Sequence, residues 1–280
     1  MDNSSFRKHL ILAVGLCLLL LTSALTVFPD DKLHIIACDV GQGDAILITY
    51  KSNEILIDGG PDNKVLDCLS RHMPFWDRTL EMVILTHPQS DHFVGLIEVF
   101  RRYKVDLFLA NSVDNPGNKG YQVLKSEVGG RGIRTIEPAV GQKYRLGLIY
   151  LDILNPPQEF VSKELNDYSV VTKMIYGNFK AIFSGDIEGN MDKYLLGNGI
   201  LEQVNYLKVN HHGSKNGLTK TILEVLRPEV AVISAGKNNR YGHPHKQTLD
   251  LLNDYSAKVY RTDQVGDVEI ISDGKSFWTK

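Results

Sequence analysis

The chain is poor in cysteine, with three in 280 residues, and none of the three stands at metal-ligand spacing from another. That excludes a thiolate zinc module and a small disulfide-framed scaffold. Cys17 lies in an apolar stretch without the small neighbours of a lipidation site, while Cys38 and Cys68 are isolated and read as two buried free thiols rather than a bridge. Only one apolar run is long enough to cross a membrane, so a multi-helix channel is excluded. Internal repeats and low-complexity tracts are absent. The net charge is only −2, which argues against indiscriminate nucleic-acid binding. Histidine is unevenly spread, since none of the nine lies between His92 and His211.

The single long apolar run is Leu10 to Phe28, nineteen residues without charge, preceded by Arg7 and Lys8 and closed by Pro29-Asp30-Asp31. It is long enough for a transmembrane helix, and its positive flank belongs in the cytoplasm. Residues 1–29 therefore read as a retained signal anchor, with a signal peptide cleaved near Thr22-Ser23-Ala24 as the alternative. Residues 33–280 follow as one domain outside the cytoplasm, anchored at the cell membrane in the first case and secreted in the second.

Chemistry concentrates in Thr86-His87-Pro88-Gln89-Ser90-Asp91-His92, between the apolar runs Met82-Val83-Ile84-Leu85 and Phe93-Val94-Gly95-Leu96. Imidazole nitrogen and carboxylate oxygen on one loop suit zinc or manganese better than calcium. Two further strands end in the same chemistry: 179–184 runs into Gly185-Asp186, and 204–209 into Asn210-His211-His212-Gly213-Ser214. Three strands delivering ligands at one end describe a metal site on a rigid sheet, and metal-dependent hydrolysis is the activity that arrangement predicts.

Periodicity predicts strands at 33–40, 44–50 and 54–58 as an opening meander, a helix at 65–73, the strand 81–86 that feeds the metal loop, a helix at 93–103 and a strand at 105–110. The Gly-rich stretch 111–147 holds a helix near 121–128 and a short strand near 133–137. Strands resume at 148–154, 169–176, 179–184, 204–209, 230–234, 258–262 and 268–271, with helices near 189–196, 219–226 and 247–254. Two strand-rich halves with interspersed helices predict an α/β fold in which helices cover a β-sandwich.

In this order the His/Asp loop, the strand ending in Gly-Asp and the later strand ending in His resemble the metallo-β-lactamase superfamily, and Ile55-Leu56-Ile57-Asp58-Gly59-Gly60 resembles its opening Asp motif. Cys38-Asp39-Val40-Gly41-Gln42-Gly43-Asp44-Ala45-Ile46-Leu47-Ile48, His211-His212-Gly213-Ser214 and Tyr241-Gly242-His243-Pro244-His245 narrow the likeness to the metal domain of ComEC-type DNA-uptake proteins, over residues 33 to 275. The resemblance implies a four-layer αββα sandwich and up to two metals. One would be held by the two histidines of an H-x-H and a third on an intervening strand. The other would be held by the Asp-His pair and the last His, with the Gly-Asp carboxylate bridging.

Carried onto this chain, the second set is complete as Asp91, His92 and His211 with Asp186. The first keeps only His87, because Gln89 replaces one histidine and no histidine fills the strand; Asn166, Asp167 and Ser169 fall there instead. A neutral amide is a poor substitute for imidazole, so the expected cofactor is one firmly bound divalent transition metal, Zn2+ or Mn2+, with a second, weaker ion as the alternative. Asp58 is read as backing the metal loop. His212, Ser214 and Lys215 are read as supports or substrate contacts, the choice of ligand between His211 and His212 staying open. Asp39, Gln42 and Asp44 lie in a Gly-rich turn read as holding the loop together, from which a carboxylate could reach the site mouth. Asp91 or Asp186 would orient the attacking water, and His243 or His245 would protonate the leaving oxygen or contact phosphate.

Charge narrows the substrate. Residues 205–248 carry seven lysines and arginines against two glutamates, a balance of +5, which suits a phosphodiester. The expected function is a metal-dependent phosphodiesterase or nuclease acting on DNA outside the cytoplasmic membrane, in partnership with a DNA-uptake channel protein. Two alternatives stand beside it: a non-catalytic DNA-binding or uptake accessory with a degraded site, and a hydrolase of small esters, lactones or β-lactams.

Overall fold

The computed structural model of the chain describes residues 7, 9–15, 29–197, 199 and 201–280. Most of the 10–28 stretch, with Cys17, lies outside the described residues. Among those described, no helix is long and apolar enough to cross a membrane.

The opening meander is β1 (Leu33–Ala37), β2 (Ile46–Tyr50) and β3 (Asn53–Ile57), all antiparallel. Helix α1 (Lys64–His72) then leads to β4 (Thr79–Leu80) and to β5 (Met82–Ile84), which lies parallel to β3. Helix α2 (Ser90–Arg102) returns to β6 (Lys104–Val105) and β7 (Phe108–Leu109), and α3 (Lys119–Gly130) to β8 (Thr135–Ile136). The strand expected at 105–110 is thus divided, because Asp106 still donates to the Leu80 carbonyl while the Leu107 carbonyl already accepts from Val83. The chain changes partners between those two residues.

A second sheet begins with β9 (Lys143–Leu146), β10 (Ile149–Asn155), β11 (Val171–Tyr176) and β12 (Phe179–Phe183), antiparallel throughout. It continues with the parallel strands β13 (Tyr206–Lys208), β14 (Val230–Ile233) and β15 (Lys258–Arg261), joined by helices α4 (Asp192–Gly197), α5 (Lys220–Leu226) and α6 (Lys246–Asp254). After α7 (Thr262–Val265) the chain rejoins the first sheet, where β16 (Val268–Ser272) pairs with β1 and β17 (Phe277–Thr279) forms the edge. Strands β9 and β17 were not anticipated; β9 lies at a sheet edge, where its half-exposed Lys-Tyr-Arg-Leu alternation resembles a polar loop.

Three apolar clusters define the layers. Ile35, Ile48 and Ile55 of the first sheet meet Leu151, Met174 and Phe183 of the second to fill the sandwich. The other face of the first sheet is covered by α1 to α3, where Phe93, Leu96, Val99 and Phe100 recur at helical spacing and form the buried stripe of α2. Helices α4 to α6 cover the second sheet through Leu195, Ile222, Leu223 and Leu252. Cys38 and Cys68 form a disulfide, with Cα atoms 5.9 Å apart, which corrects the expectation of two free thiols. Packing α1 on β1 brings the pair into bonding range, a proximity that residues thirty apart do not advertise in sequence.

Candidate metal centre

The parallel strands put one set of loops at one end of the sandwich, beyond the carboxyl ends of β3, β5, β12 and β13. These loops carry Asp58, the 87–92 segment, Asp186 and the 211–212 pair, so each sheet contributes half of the site. One oxygen or nitrogen from each of Asp91, His92, Asp186 and His212 falls within 4.8 Å of the others. All four side chains are buried except Asp91, which is 30% exposed.

The tautomers follow from the hydrogen bonds. His92 Nδ1 donates to Asp58 Oδ2 at 2.8 Å, and His212 Nδ1 donates to the Ser234 carbonyl at 3.0 Å. Thr86 donates its hydroxyl to Asp58 Oδ2 at 2.7 Å, which leaves Thr86 Oγ1 itself to accept from His87 Nδ1 at 3.0 Å. In each ring the Nε2 atom is therefore the bare one. The Nε2 atoms of His87, His92 and His212 and both carboxylate oxygens of Asp186 are buried without a hydrogen-bond partner. His92 Nε2 and His212 Nε2 approach Asp186 Oδ2 at 3.2 and 3.4 Å, close but not aligned as hydrogen bonds. Buried polar atoms are ordinarily satisfied, so a converging unsatisfied set of two imidazoles and a carboxylate fits a divalent cation.

Charge is tightly organised here. Burial opposes ionisation of Asp186, but His212 and His92 hold its carboxyl well below the usual range. Burial also opposes protonation of His92, which Asp186, Asp58 and Asp91 nevertheless raise well above its ordinary value. His87 goes the other way, pushed down to about 3 by burial and the neighbouring His92.

The ligand choice left open between His211, carried over from the resemblance, and His212 has a geometric answer: it is the His212 ring nitrogen that clusters with Asp91, His92 and Asp186. Both residues have left-handed backbone, with φ of 47° and 53°, so the chain reverses sharply and turns the second ring inward. Gly213 continues the turn, where a Cβ would lie 2.5 Å from Pro244. His211 donates Nδ1 to Glu188 at 2.8 Å and holds Nε2 3.7 Å from Asp186 Oδ2, at the rim. Gln89 donates to Asn166 at 2.7 Å, and Asn166 reaches His211 at 3.5 Å, so amides fill the region where further imidazoles were missing. Asp167 turns away to Ser162 and Asn190, while the Ser169 hydroxyl accepts from the Asp186 amide.

Asp44 sits behind the cluster. The loop carrying it packs so closely that a Cβ on Gly43 would fall 2.2 Å from the Asp91 carbonyl. Asp44 Oδ2 meets Lys208 Nζ at 2.7 Å, and both side chains are almost wholly buried. Lys208 was counted in the basic segment, but it is a core residue and does not face substrate. Lys246 is exposed and paired with Asp250, which trims the free positive charge further. Lys215 is exposed, and Ser214 is buried with its hydroxyl accepting from the Asn216 amide.

His243 brings its ring centroid 5.6 Å from His211 and 6.3 Å from His212, and its buried Nδ1 lacks a partner. Burial and the neighbouring His212 and His211 push its pKa down to about 4, so the ring is neutral at pH 7 and better suited to accept a proton or a cation than to donate. Tyr241 stacks on it at 5.7 Å, and Arg240 lies over Tyr241 at 4.9 Å. His245 stands 5.2 Å from His243. Sequence reasoning missed Glu188, Ser234 and the Tyr241–Arg240 stack; only Glu188, two residues beyond Gly-Asp, offered a local signal.

A family model described as the metallo-beta-lactamase superfamily matches residues 38–237. Over 259 residues the chain is 30% identical to ComE operon protein 3 of Bacillus subtilis, covering 82% of this chain and 32% of that protein. It is 24% identical over 245 residues to Competence protein ComA of Neisseria gonorrhoeae, covering 85% of this chain and 32% of the relative. The chain thus spans about a third of the length of these relatives. The metallo-beta-lactamase fold protein YhfI of Bacillus subtilis superposes with a TM-score of 0.56 at 12% identity, covering 89% of this chain and all of that one.

Proposed function

Since the chain belongs to the metallo-β-lactamase superfamily, with ComEC-type competence proteins among its relatives, we propose that it is a metal-dependent phosphodiesterase acting on DNA. The observation that carries this reading is the convergence of Asp91, His92, Asp186 and His212, with their buried, partnerless donor atoms aimed at one point. Held by these residues, a divalent cation, Zn2+ or Mn2+, would supply Lewis acidity and a water that is nucleophilic at neutral pH. Asp58 fixes the His92 ring, Ser234 fixes His212, and Glu188 holds His211 at the rim. His243 Nδ1 is the group placed to exchange a proton with the reacting oxygens. The Arg240–Tyr241–His243 stack leads from the cluster to solvent, with Tyr241 half exposed, and a cation beside an exposed ring suits an unpaired base and its phosphate. In this reading residues 33–280 form the hydrolase domain, residues 1–29 anchor it to the cytoplasmic membrane, and the domain lies outside, where the disulfide is stable.

The Gln89–Asn166 amide pair favours a second reading, an uptake accessory that binds DNA without cleaving it. The deciding experiment is metal analysis of the purified chain followed by assays on single-stranded DNA, duplex DNA and nitrocefin with Mn2+ and Zn2+. One equivalent of metal and DNA cleavage are expected, with Asp58→Asn weakening metal affinity by about 10- to 100-fold and Asp186→Asn abolishing turnover. Binding of DNA without cleavage under any metal would replace the enzyme with the accessory, and turnover of nitrocefin alone would point to small-ester chemistry.

A further inference from the structure

A cleft of about 580 Å³ runs along the first sheet and reaches the end of that sheet opposite the metal cluster. Glu54, near the start of β3, lines it, whereas Asp58 follows the end of that strand; four residues of strand separate the two by about 13 Å. Pro29 and Asp30 line the same cleft, and they are the residues at which the 10–28 apolar stretch meets the folded domain.

Large rings gather around this rim. Phe75, in the loop between α1 and β4, lines the cleft and is 74% exposed. Trp76 follows it at 47% exposure, the two rings meeting edge to face at 4.9 Å. Trp278 on the edge strand β17 is 38% exposed and lies under Lys32 Nζ at 5.1 Å, and Lys32 is another lining residue. Both tryptophans of the chain are therefore associated with one rim. Each lining cation stands beside an acid, Lys32 with Asp30, Lys51 with Asp31, Arg71 with Asp267 and Lys280 with Glu269. Burial and the adjacent Glu81 raise Glu54 to about 9, so it is neutral at pH 7 and adds no negative charge to the rim.

Tryptophan, with an apolar ring and a polar N–H, is enriched where hydrocarbon meets water, and lysine stems reach from that level to the headgroups. We propose that this rim is the surface that faces the membrane: Phe75 and Trp76 insert at the headgroup level of a phospholipid bilayer, Trp278 and Lys32 lie alongside, and the metal cluster points away from the lipid. The assignment rests on reading the 10–28 stretch as the anchor. It adds an orientation that a tether alone does not impose.

The test uses the full chain in phosphatidylcholine–phosphatidylglycerol vesicles, with Trp278→Phe leaving Trp76 as the sole tryptophan. Trp76 emission should shift to the blue and be quenched about twofold by lipids brominated near the headgroup, and Phe75→Ser should weaken that quenching. A chain with Trp76→Phe, Trp278→Phe and Tyr241→Trp reports from the metal side and should stay unquenched. If alkaline carbonate leaves the chain in the vesicles but Trp76 is unquenched, the orientation is wrong while the anchor survives. Equal quenching at Tyr241→Trp would also overturn it. Release by carbonate would remove the anchor, and the orientation with it.

Discussion

Removing the Cys38–Cys68 bridge gives a calculable loss. The bridge closes a loop of 30 residues, and the chain-entropy relation assigns about 3.6 kcal/mol at 25 °C to the freedom it removes from the unfolded chain. For a domain of this size each kcal/mol corresponds to about 2–4 °C, so the double substitution Cys38→Ala/Cys68→Ala should lower Tm by roughly 7–14 °C. Both sulfurs are buried, so lost packing adds to the deficit and the range is a lower bound. Cys38 directly precedes the turn that holds Asp44 against Lys208, and the loss should extend to metal retention. The assay is thermal unfolding by circular dichroism, comparing intact protein, protein reduced in mild denaturant and refolded, and the double variant, with thiols counted in each. A fully reduced sample that melts within about 2 °C of the oxidised one would refute the reasoning, because no entropy model accommodates so small a change for this loop.

Two further outcomes follow from buried charge. Lys208→Met strands the Asp44 carboxylate in the core and should cost about 3–5 kcal/mol in urea unfolding, with Asp44→Asn/Lys208→Met recovering a large part; a single variant as stable as wild type would show that the pair is hydrated. Glu54, raised to about 9 by burial, Glu81 and Asp77, holds its proton in the folded state where the unfolded chain has lost it. Its contribution is fully present below about pH 4.5 and is lost as pH rises toward 9, at up to about 1.4 kcal/mol per unit. The difference between wild type and Glu54→Gln should grow across that window in favour of the variant, and parallel pH profiles would contradict the assignment.

The metal loop, the Gly-Asp turn and the His-His pair were legible in sequence because each is local: an apolar strand followed at once by ligand chemistry. Asp58 was legible in the same way, next to two glycines at a strand end. The choice between His211 and His212 was not, since it depends on consecutive left-handed residues that turn one ring to Asp186 and the other to Glu188. Lys208 reads as surface charge at the end of a strand, and only the tertiary fold shows Asp44 waiting for it from the other sheet. The disulfide failed for the same reason, because helix-on-sheet packing brings together positions unrelated in spacing. Edge strands such as β17 are short and half exposed, so periodicity hardly registers them.

The return of the chain to its starting strand sets an order of assembly. Leu33 in β1 pairs with Ser272 in β16, about 240 residues away, so one edge of β1 has no neighbour until β16 has been made. At ordinary ribosomal speeds of about 5–20 residues per second that is roughly 12–48 s of open strand edge, a template for unwanted pairing. The second sheet spans residues 143–261 without interruption and can close as soon as those residues emerge. The half made later is therefore the half able to finish first, and strands β1 to β3 must wait for β16 and β17 before their own sheet is complete.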